Sequence, residues 1–450
     1  LKSCWLQKSC GPMHMQILLS RRLMLHLSFI LLAVCTACSC GVNVDNLTAA
    51  LQRVADKMQS KYNMSIAAAF FSPEAQTAVA AGYTDAGLGI GRPTRHALPD
   101  DVYVWGSTTK MFTAAAVLQL VEQGTVVLTD PITKHIDPIL KHLNGTTLSQ
   151  HFGYPIQAVE IQHLLHMTSG IADYDGEAYA REQFAKRSKD FGPVEIIGKF
   201  VNRTLLYMPG THQSYCSTNY ILLGLVLAKH YHKVGETWSW QGYDQSSVIP
   251  DALRKAFRLS TFVTSGTCQD HTPVHGFMQS YSTASLPPQD VWNVSCVGGW
   301  TAGNYLGSVA DVARFSYELW NRKNPSIVSA ISQSRMIDWK APLFPGSQKF
   351  KFYGMGTFSL DWSVGDAEAY GHVGDTYGYQ SQTTYFPAHD FVLSVATNIE
   401  TTSQAQPADY ICLAYHEVKA VLEGTRAPKC SFYVPHRFIG FCSCSSEVVV

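Results

Sequence analysis

Apolar residues recur along the chain with two periods, and the changes of period mark out the elements. Leu47, Leu51, Val54 and Met58 fall three or four apart, which predicts an amphipathic helix over about 45–60. Ser65–Phe71 and Thr77–Gly82 are short apolar runs around a Pro/Glu turn and predict two strands. Ser107–Gly124 predicts a long helix ended by glycine, and Ile161–His166 begins another. Tyr220–His230 predicts a third, strongly apolar helix. Ser308–Trp320 predicts a fourth, opened by Ser308 with Asp311 three residues on, a start like a capping box. Towards the end, Thr357–Leu360, Gln380–Phe386 and Phe391–Thr397 alternate or run apolar as strands, and Ala408–Leu422 predicts a closing helix. Strands at both ends with helices between them predict an α+β fold whose termini supply one sheet. Residues 231–296 lack a clear period and read as an insertion. The Gly87–Gly91 loop reads as turn glycines, because no strand-loop-helix unit surrounds it as a nucleotide cradle requires.

Composition narrows the class. Of 450 residues, 46% are hydrophobic and 15% charged, ample for a large core and incompatible with general disorder. The 34 basic and 34 acidic side chains cancel, and no basic run occurs, which argues against nucleic acid as a partner. Residues 1–40 hold Lys2, Lys8, Arg21 and Arg22 and no acid, so the remainder has 30 bases against 34 acids. The apolar stretch Leu23–Ala37 follows Arg21-Arg22 and falls short of the about 20 residues that span a bilayer. It reads as a secretory signal peptide, with an uncleaved membrane anchor as the alternative. Met13, Met15 and Met24 are candidate starts. The expected organisation is an extension and signal over 1–40, one main domain over 41–425 and an irregular tail over 426–450.

Secretion has independent support. Five N-x-[ST] sequons occur, at Asn46, Asn63, Asn144, Asn202 and Asn293. Of twelve cysteines, seven lie beyond residue 40: Cys216, Cys268, Cys296, Cys412, Cys430, Cys442 and Cys444. Some should pair in an oxidising compartment. Cys268 and Cys296 flank a hydrophilic stretch and are expected to bridge. Cys412 is the candidate partner of Cys430, and Cys216 is expected to stay reduced and buried.

One segment carries chemistry. Ser107 and Lys110 form S-x-x-K, the single such spacing in the chain, and positions three apart share a helix face. Lys110 is the only charged residue between Val102 and Val121, in a stretch apolar nearly all round. Such a helix is buried, and burial disfavours a charged amine. A neutral amine beside a hydroxyl is what a serine nucleophile needs. Read without its neighbours, Ser107 is equally an ordinary helix cap.

These residues resemble the first signature of serine β-lactamases and penicillin-binding proteins. Further stretches are similar to that family in the family's order over about residues 45–424. They are His163–Ile171, then Met208–Gly224 with Tyr215-Cys216-Ser217 at the Y-x-N position. Gly298-Gly299 with Ser308–Phe315 comes next, and Gly371–Asp375 stands where the family has K-T-G or H-x-G. The surroundings look like the class C branch, with its D-alanyl-D-alanine carboxypeptidases and carboxylesterases. The resemblance implies an antiparallel sheet of N- and C-terminal strands flanked by helices, plus a mainly helical lobe.

It also implies residue roles. Ser107 would be the nucleophile and form an acyl-enzyme. Lys110 would accept its proton, neutral or sharing a proton with Tyr215. Tyr215, ionised with the help of nearby cations, would act as general base and return the proton to the leaving group. The oxyanion hole would use the N–H groups of Ser107 and Asp375, the latter after Gly374. Ser217 stands at the family's Asn and shortens one contact to substrate. His372 replaces a lysine that meets a substrate carboxylate, and a histidine is mostly neutral at pH 7. Efficient β-lactam turnover is therefore not expected. The pocket walls are expected from the 231–296 insertion.

The function expected is a secreted serine hydrolase, a monomer without metal or cofactor, acting on a small-molecule or peptide ester, amide or peptide bond. A catalytically impaired binding or scaffold protein on the same fold is the alternative, motivated by Ser217. The G-x-S-x-G elbow of an α/β-hydrolase and the H-E-x-x-H of a metallo-hydrolase are both missing.

Overall fold

The structure is a computed structural model and describes residues 42–232, 237–279, 287–339, 353–365, 367–401 and 405–430. The expected signal over 1–40, and the tail from 431 with Cys442 and Cys444, lie outside the described residues.

The Asn43 side chain accepts the Asn46 N–H and opens α1, Val44–Tyr62. Leu47, Ala50, Leu51, Val54, Ala55 and Met58 form its buried face, the stripe the spacing predicts. β1 (Ile66–Phe71) and β2 (Gln76–Ala81) follow as an antiparallel pair. The Gly87–Gly91 loop is a small hairpin turn, as its glycines imply. The helical part contains α2 (Thr109–Glu122), α3 (Ile132–Asn144) and α4 (Ser217–Tyr231). The helix expected from Ile161 stops at Leu165, and Met167 then turns the chain at φ +61°. α5 (Val309–Trp320) begins where the Ser308 hydroxyl accepts the Asp311 N–H. Four more strands of the main sheet follow: β3 (Phe358–Ser359), β4 (Tyr370–Thr376), β5 (Tyr379–Phe386) and β6 (Phe391–Thr397). They are closed by α6, Ala405–Glu423.

Six strands form one antiparallel sheet in the order β3-β4-β5-β6-β1-β2. The termini meet at β1 and β6, where Ala67 lies opposite Ala396 and Phe70 opposite Leu393. α1 and α6 pack on each other and on the sheet, and α5 packs separately against β1, β5 and β6. β5 and β6 are buried at every position, so both faces of the central sheet are covered. Their hydroxyls are satisfied internally: Thr383 and Ser394 hydroxyls lie 2.6 Å apart, and Ser316 lies 2.9 Å from Thr383. α2 packs between β4 and α4, which brings the S-x-x-K segment to the junction of sheet and helical lobe. Among the described residues no helix is long and apolar enough to cross a membrane.

Cys268 and Cys296 are bonded with Cα atoms 4.7 Å apart, and Cys412 and Cys430 with Cα atoms 5.8 Å apart. Cys216 is a buried free thiol whose Sγ donates to the Ile171 carbonyl at 3.3 Å. All three fates match the expectation from sequence.

Candidate active site

Two glycines bring β4 against the segment that starts α2. Gly106 has φ +52°, a backbone region that a side chain disfavours, and a Cβ there would meet the Asp375 carbonyl oxygen at 2.6 Å. A Cβ on Gly374 would meet the Trp105 carbonyl oxygen at 1.9 Å. The Ser381 hydroxyl, on the next strand, donates to the same carbonyl at 2.9 Å. Trp105 is held from the other side by its N–H to Tyr305 and its indole N–H to Gly307, both 2.9 Å. The chain leaves Gly106 in a 3₁₀ turn, Gly106–Thr108, before α2 begins, rather than entering a regular helix at Ser107. From Tyr103 to Leu118 every residue is buried except Ser107, which is partly exposed. The backbones of Ser107 and Asp375 therefore stand close together, and both residues line one cleft.

Lys110 is fully buried, and its Nζ reaches three acceptors. Nζ donates to Ser107 Oγ at 2.9 Å, to Ser217 Oγ at 3.3 Å and to the Ala302 carbonyl at 2.9 Å. Nζ also lies 5.0 Å from the centre of the Tyr215 ring, over its face. The Ser107 hydroxyl also acts on the Tyr215 phenol, so the serine stands between both partners. Burial pushes the Tyr215 phenol well above its ordinary range, with the Ser107 hydrogen bond opposing. This direction runs against the expectation of an ionised Tyr215, since burial favours the neutral phenol.

Ser217 retains a place at the site by accepting from Lys110. It opens α4, and its N–H donates to Asp173 Oδ2 at 3.0 Å, with the Thr218 N–H at 3.3 Å from Oδ1. A carboxylate there complements the positive end of a 15-residue helix. Asp173 was not singled out from sequence. Its only trace is the Asp173-Tyr174-Asp175 triplet after the His163–Ile171 stretch, which has no period to flag it. The Ala302 carbonyl is a backbone group and leaves no trace at all.

His372 does not reach the cleft. Its ring is fully buried, Nδ1 donates to the Val373 carbonyl at 2.5 Å, and Nε2 accepts the Tyr353 hydroxyl at 3.0 Å. Burial, reinforced by the Lys110 charge, pushes its pKa well below the ordinary histidine range. The expected substrate contact by His372 is thus replaced by an internal pair with Tyr353, a residue outside every sequence signature.

The cleft has a volume of about 490 Å³, including space open to solvent, and is lined by Ser107, Ser217, Tyr174, Asp175, Asp375 and Tyr377 among others. Among the described residues of the 231–296 segment, Ser295 lines it. Asp175 is partly exposed to the cleft, and its carboxyl is pushed up to about 7 by burial and by the neighbouring Asp173 charge. Among the described residues no group of three His, Cys, Asp or Glu side chains could hold a metal ion.

Comparison with known proteins places this arrangement. The chain is 30% identical over 132 residues to Protein flp of Staphylococcus aureus (strain NCTC 8325 / PS 47). That match spans 29% of this chain and 24% of the relative, so only about a quarter of that protein's length is covered. Among solved structures, a D-stereospecific amidohydrolase from Streptomyces sp. is similar with a TM-score of 0.63 and 19% identity. The match covers 84% of this chain and 99% of that one. A D-amino acid amidase from Ochrobactrum anthropi SV3, complexed with L-phenylalanine amide, is similar with a TM-score of 0.62 and 20% identity. It covers 84% of this chain and 97% of its own. The model of the Beta-lactamase family matches residues 51–415, most of the chain. That match spans Ser107, Lys110 and Tyr215, and the chain belongs to the Beta-lactamase family.

Proposed function

We propose that the chain is a serine hydrolase that works through an acyl-enzyme on an ester, amide or peptide bond. The observation that carries the reading is the 2.9 Å contact between Lys110 Nζ and Ser107 Oγ, at the one partly exposed residue of a buried segment. Ser107 Oγ attacks the substrate carbonyl carbon, and its proton passes across that contact to Lys110 in its neutral form. The oxyanion is met by the N–H groups of Ser107 and Asp375. The neutral Tyr215 phenol then gives its proton to the leaving group and is resupplied with the proton that Lys110 took from Ser107, since Lys110 Nζ lies over the Tyr215 ring and the acylated Ser107 oxygen has no proton to relay. Water attacks the acyl-enzyme by the reverse proton path and frees Ser107. Asp173 acts as a positioning residue by anchoring the start of α4 and with it Ser217.

The contact between Lys110 and Ser217 counts against the alternative of a decayed binding protein, since the substituted position still serves the lysine. The amidases of similar fold make amides the first bonds to test. The test is a hydrolysis screen across p-nitrophenyl esters, D-amino-acid amides and a chromogenic cephalosporin, run beside Ser107→Ala. Turnover by the wild type that the variant lacks supports the proposal, and equal turnover refutes it.

We further propose that the protein is made on a secretory route and glycosylated. The asparagines of all five sequons are exposed, and the two disulfides suit an oxidising compartment. Treatment with an N-glycan-releasing amidase should lower the apparent mass of protein expressed in secreting eukaryotic cells.

A further inference from the structure

We infer that the Ser107 cleft selects substrates carrying a protonated amine close to the scissile carbonyl, and that Asp175 determines this specificity. The inference rests on the serine-hydrolase reading above. The charges of the cleft run opposite to those of a carboxylate-binding site. Asp175 and Asp375 both line it, and no Lys or Arg among the described residues does. The nearest cation, Lys110, is buried behind Ser107 with its donors directed at Ser107, Ser217 and Ala302. His372 stands where a cation would meet a carboxylate, and it is buried and turned to Tyr353.

Asp175 differs from its neighbour Asp173 in what surrounds it. Asp173 accepts backbone N–H groups from Ser217, Thr218 and Asp175. Among the described residues none donates a hydrogen bond to the Asp175 carboxylate and none forms an ion pair with it. The charges it feels are, in order of size, those of Asp173, the buried Lys110 and Asp375. An incoming ammonium supplies the missing partner. In a partly desolvated cleft such a charge-assisted hydrogen bond exceeds its value in water. The rings of Tyr174, Tyr179 and Tyr377 line the same cleft, and Tyr174 and Tyr179 pack edge to face with centres 4.9 Å apart. Phenol faces attract a cation and not an anion. A substrate carboxylate in this position would face the Asp175 carboxylate and, among the described lining residues, no Lys or Arg.

The experiment compares phenylalanine p-nitroanilide, in either hand, with its N-acetyl and N-succinyl forms. These present a positive, a neutral and a negative group at one place. A neutral fluorophosphonate is used in parallel to report whether Ser107 is reactive. The wild type should favour the free amine over the N-acetyl form by about tenfold or more in kcat/KM, the scale of one hydrogen bond to a charged group. The succinyl form should be the poorest. Asp175→Asn should reduce the free-amine to N-acetyl ratio by about tenfold, and Asp175→Glu should keep it. A wild-type ratio near or below one, with Ser107 labelled, overturns the inference and leaves the hydrolase reading standing. A ratio unchanged in Asp175→Asn overturns the role of Asp175. Failure of the wild type both to label and to turn over any of the three overturns the hydrolase reading and the inference with it. The acetylation comparison needs no variant, so it decides even if Asp175→Asn does not fold.

Discussion

Replacing Gly374 by alanine puts a methyl group into the contact that holds β4 against the nucleophile turn. Its Cβ would lie 1.9 Å from the Trp105 carbonyl oxygen and 2.3 Å from Ser381 Oγ, where ordinary contact begins near 3.4 Å. Strand and turn must therefore separate by about 1.5 Å, the difference between 3.4 and 1.9 Å. The separation also strains the 2.9 Å hydrogen bond from Ser381 to Trp105. Overpacking of this kind costs about 1–3 kcal/mol of stability. The catalytic cost should be larger in proportion, because Asp375 follows Gly374 directly and moves with it. Loss of one oxyanion donor lowers kcat by about 10²–10³-fold. The assay is ester hydrolysis and the rate of fluorophosphonate labelling, with the thermal midpoint read on the same preparation. A folded variant whose kcat stays within threefold of wild type would refute the claim that this close approach builds the oxyanion hole.

Other outcomes follow from the same geometry. Lys110→Ala and Tyr215→Phe should each lower kcat by about 10²–10⁴-fold, and the double variant should be little worse than either, because one proton path serves both. Multiplying effects in steady-state kinetics would contradict a shared path. Asp175 has its carboxyl raised to about 7, so its folded form binds a proton that the unfolded form releases near pH 4. That contribution to stability is present at low pH and is lost as pH rises through about 7. Asp175→Asn should therefore raise the thermal midpoint more at pH 8 than at pH 4.5, with Asp173, Asp375, Lys110 and Glu400 as the charged neighbours to hold constant. Cys268→Ser with Cys296→Ser should lower stability by roughly 3–4 kcal/mol in the chain-entropy model for a 28-residue separation. Because Ser295 is adjacent and lines the cleft, the same double variant should raise KM more than it lowers kcat.

Local pattern carried much of the architecture. The helical spacing from Leu47 to Met58 and the apolar run from Phe391 to Thr397 reappear as α1 and β6 because each must bury one face or both. The lone lysine in an apolar helix pointed to Lys110 for the same reason. What sequence missed depends on long-range contact. Asp173 and Asp175 sit on a loop without period and gain meaning only where that loop meets the start of α4. Tyr353 follows no signature, yet it turns His372 from the substrate to the interior. The pattern predicts a regular helix start at Ser107, because apolar periodicity does not register the 3₁₀ turn that follows the positive φ of Gly106 beside β4. Tyr215 was expected to ionise because its neighbours were counted by charge. Burial is the largest influence on it, and the neighbouring Asp173 and Asp175 act in the same direction.

The central claim is that Ser107 is a nucleophile activated by Lys110 and Tyr215, and its most direct measurement is covalent labelling mapped by mass. Wild-type protein exposed to a fluorophosphonate should gain one adduct, located by peptide mapping at Ser107, while folded Ser107→Ala gains none. An unmodified wild type, an adduct at another residue, or labelling that persists in Ser107→Ala would contradict the account.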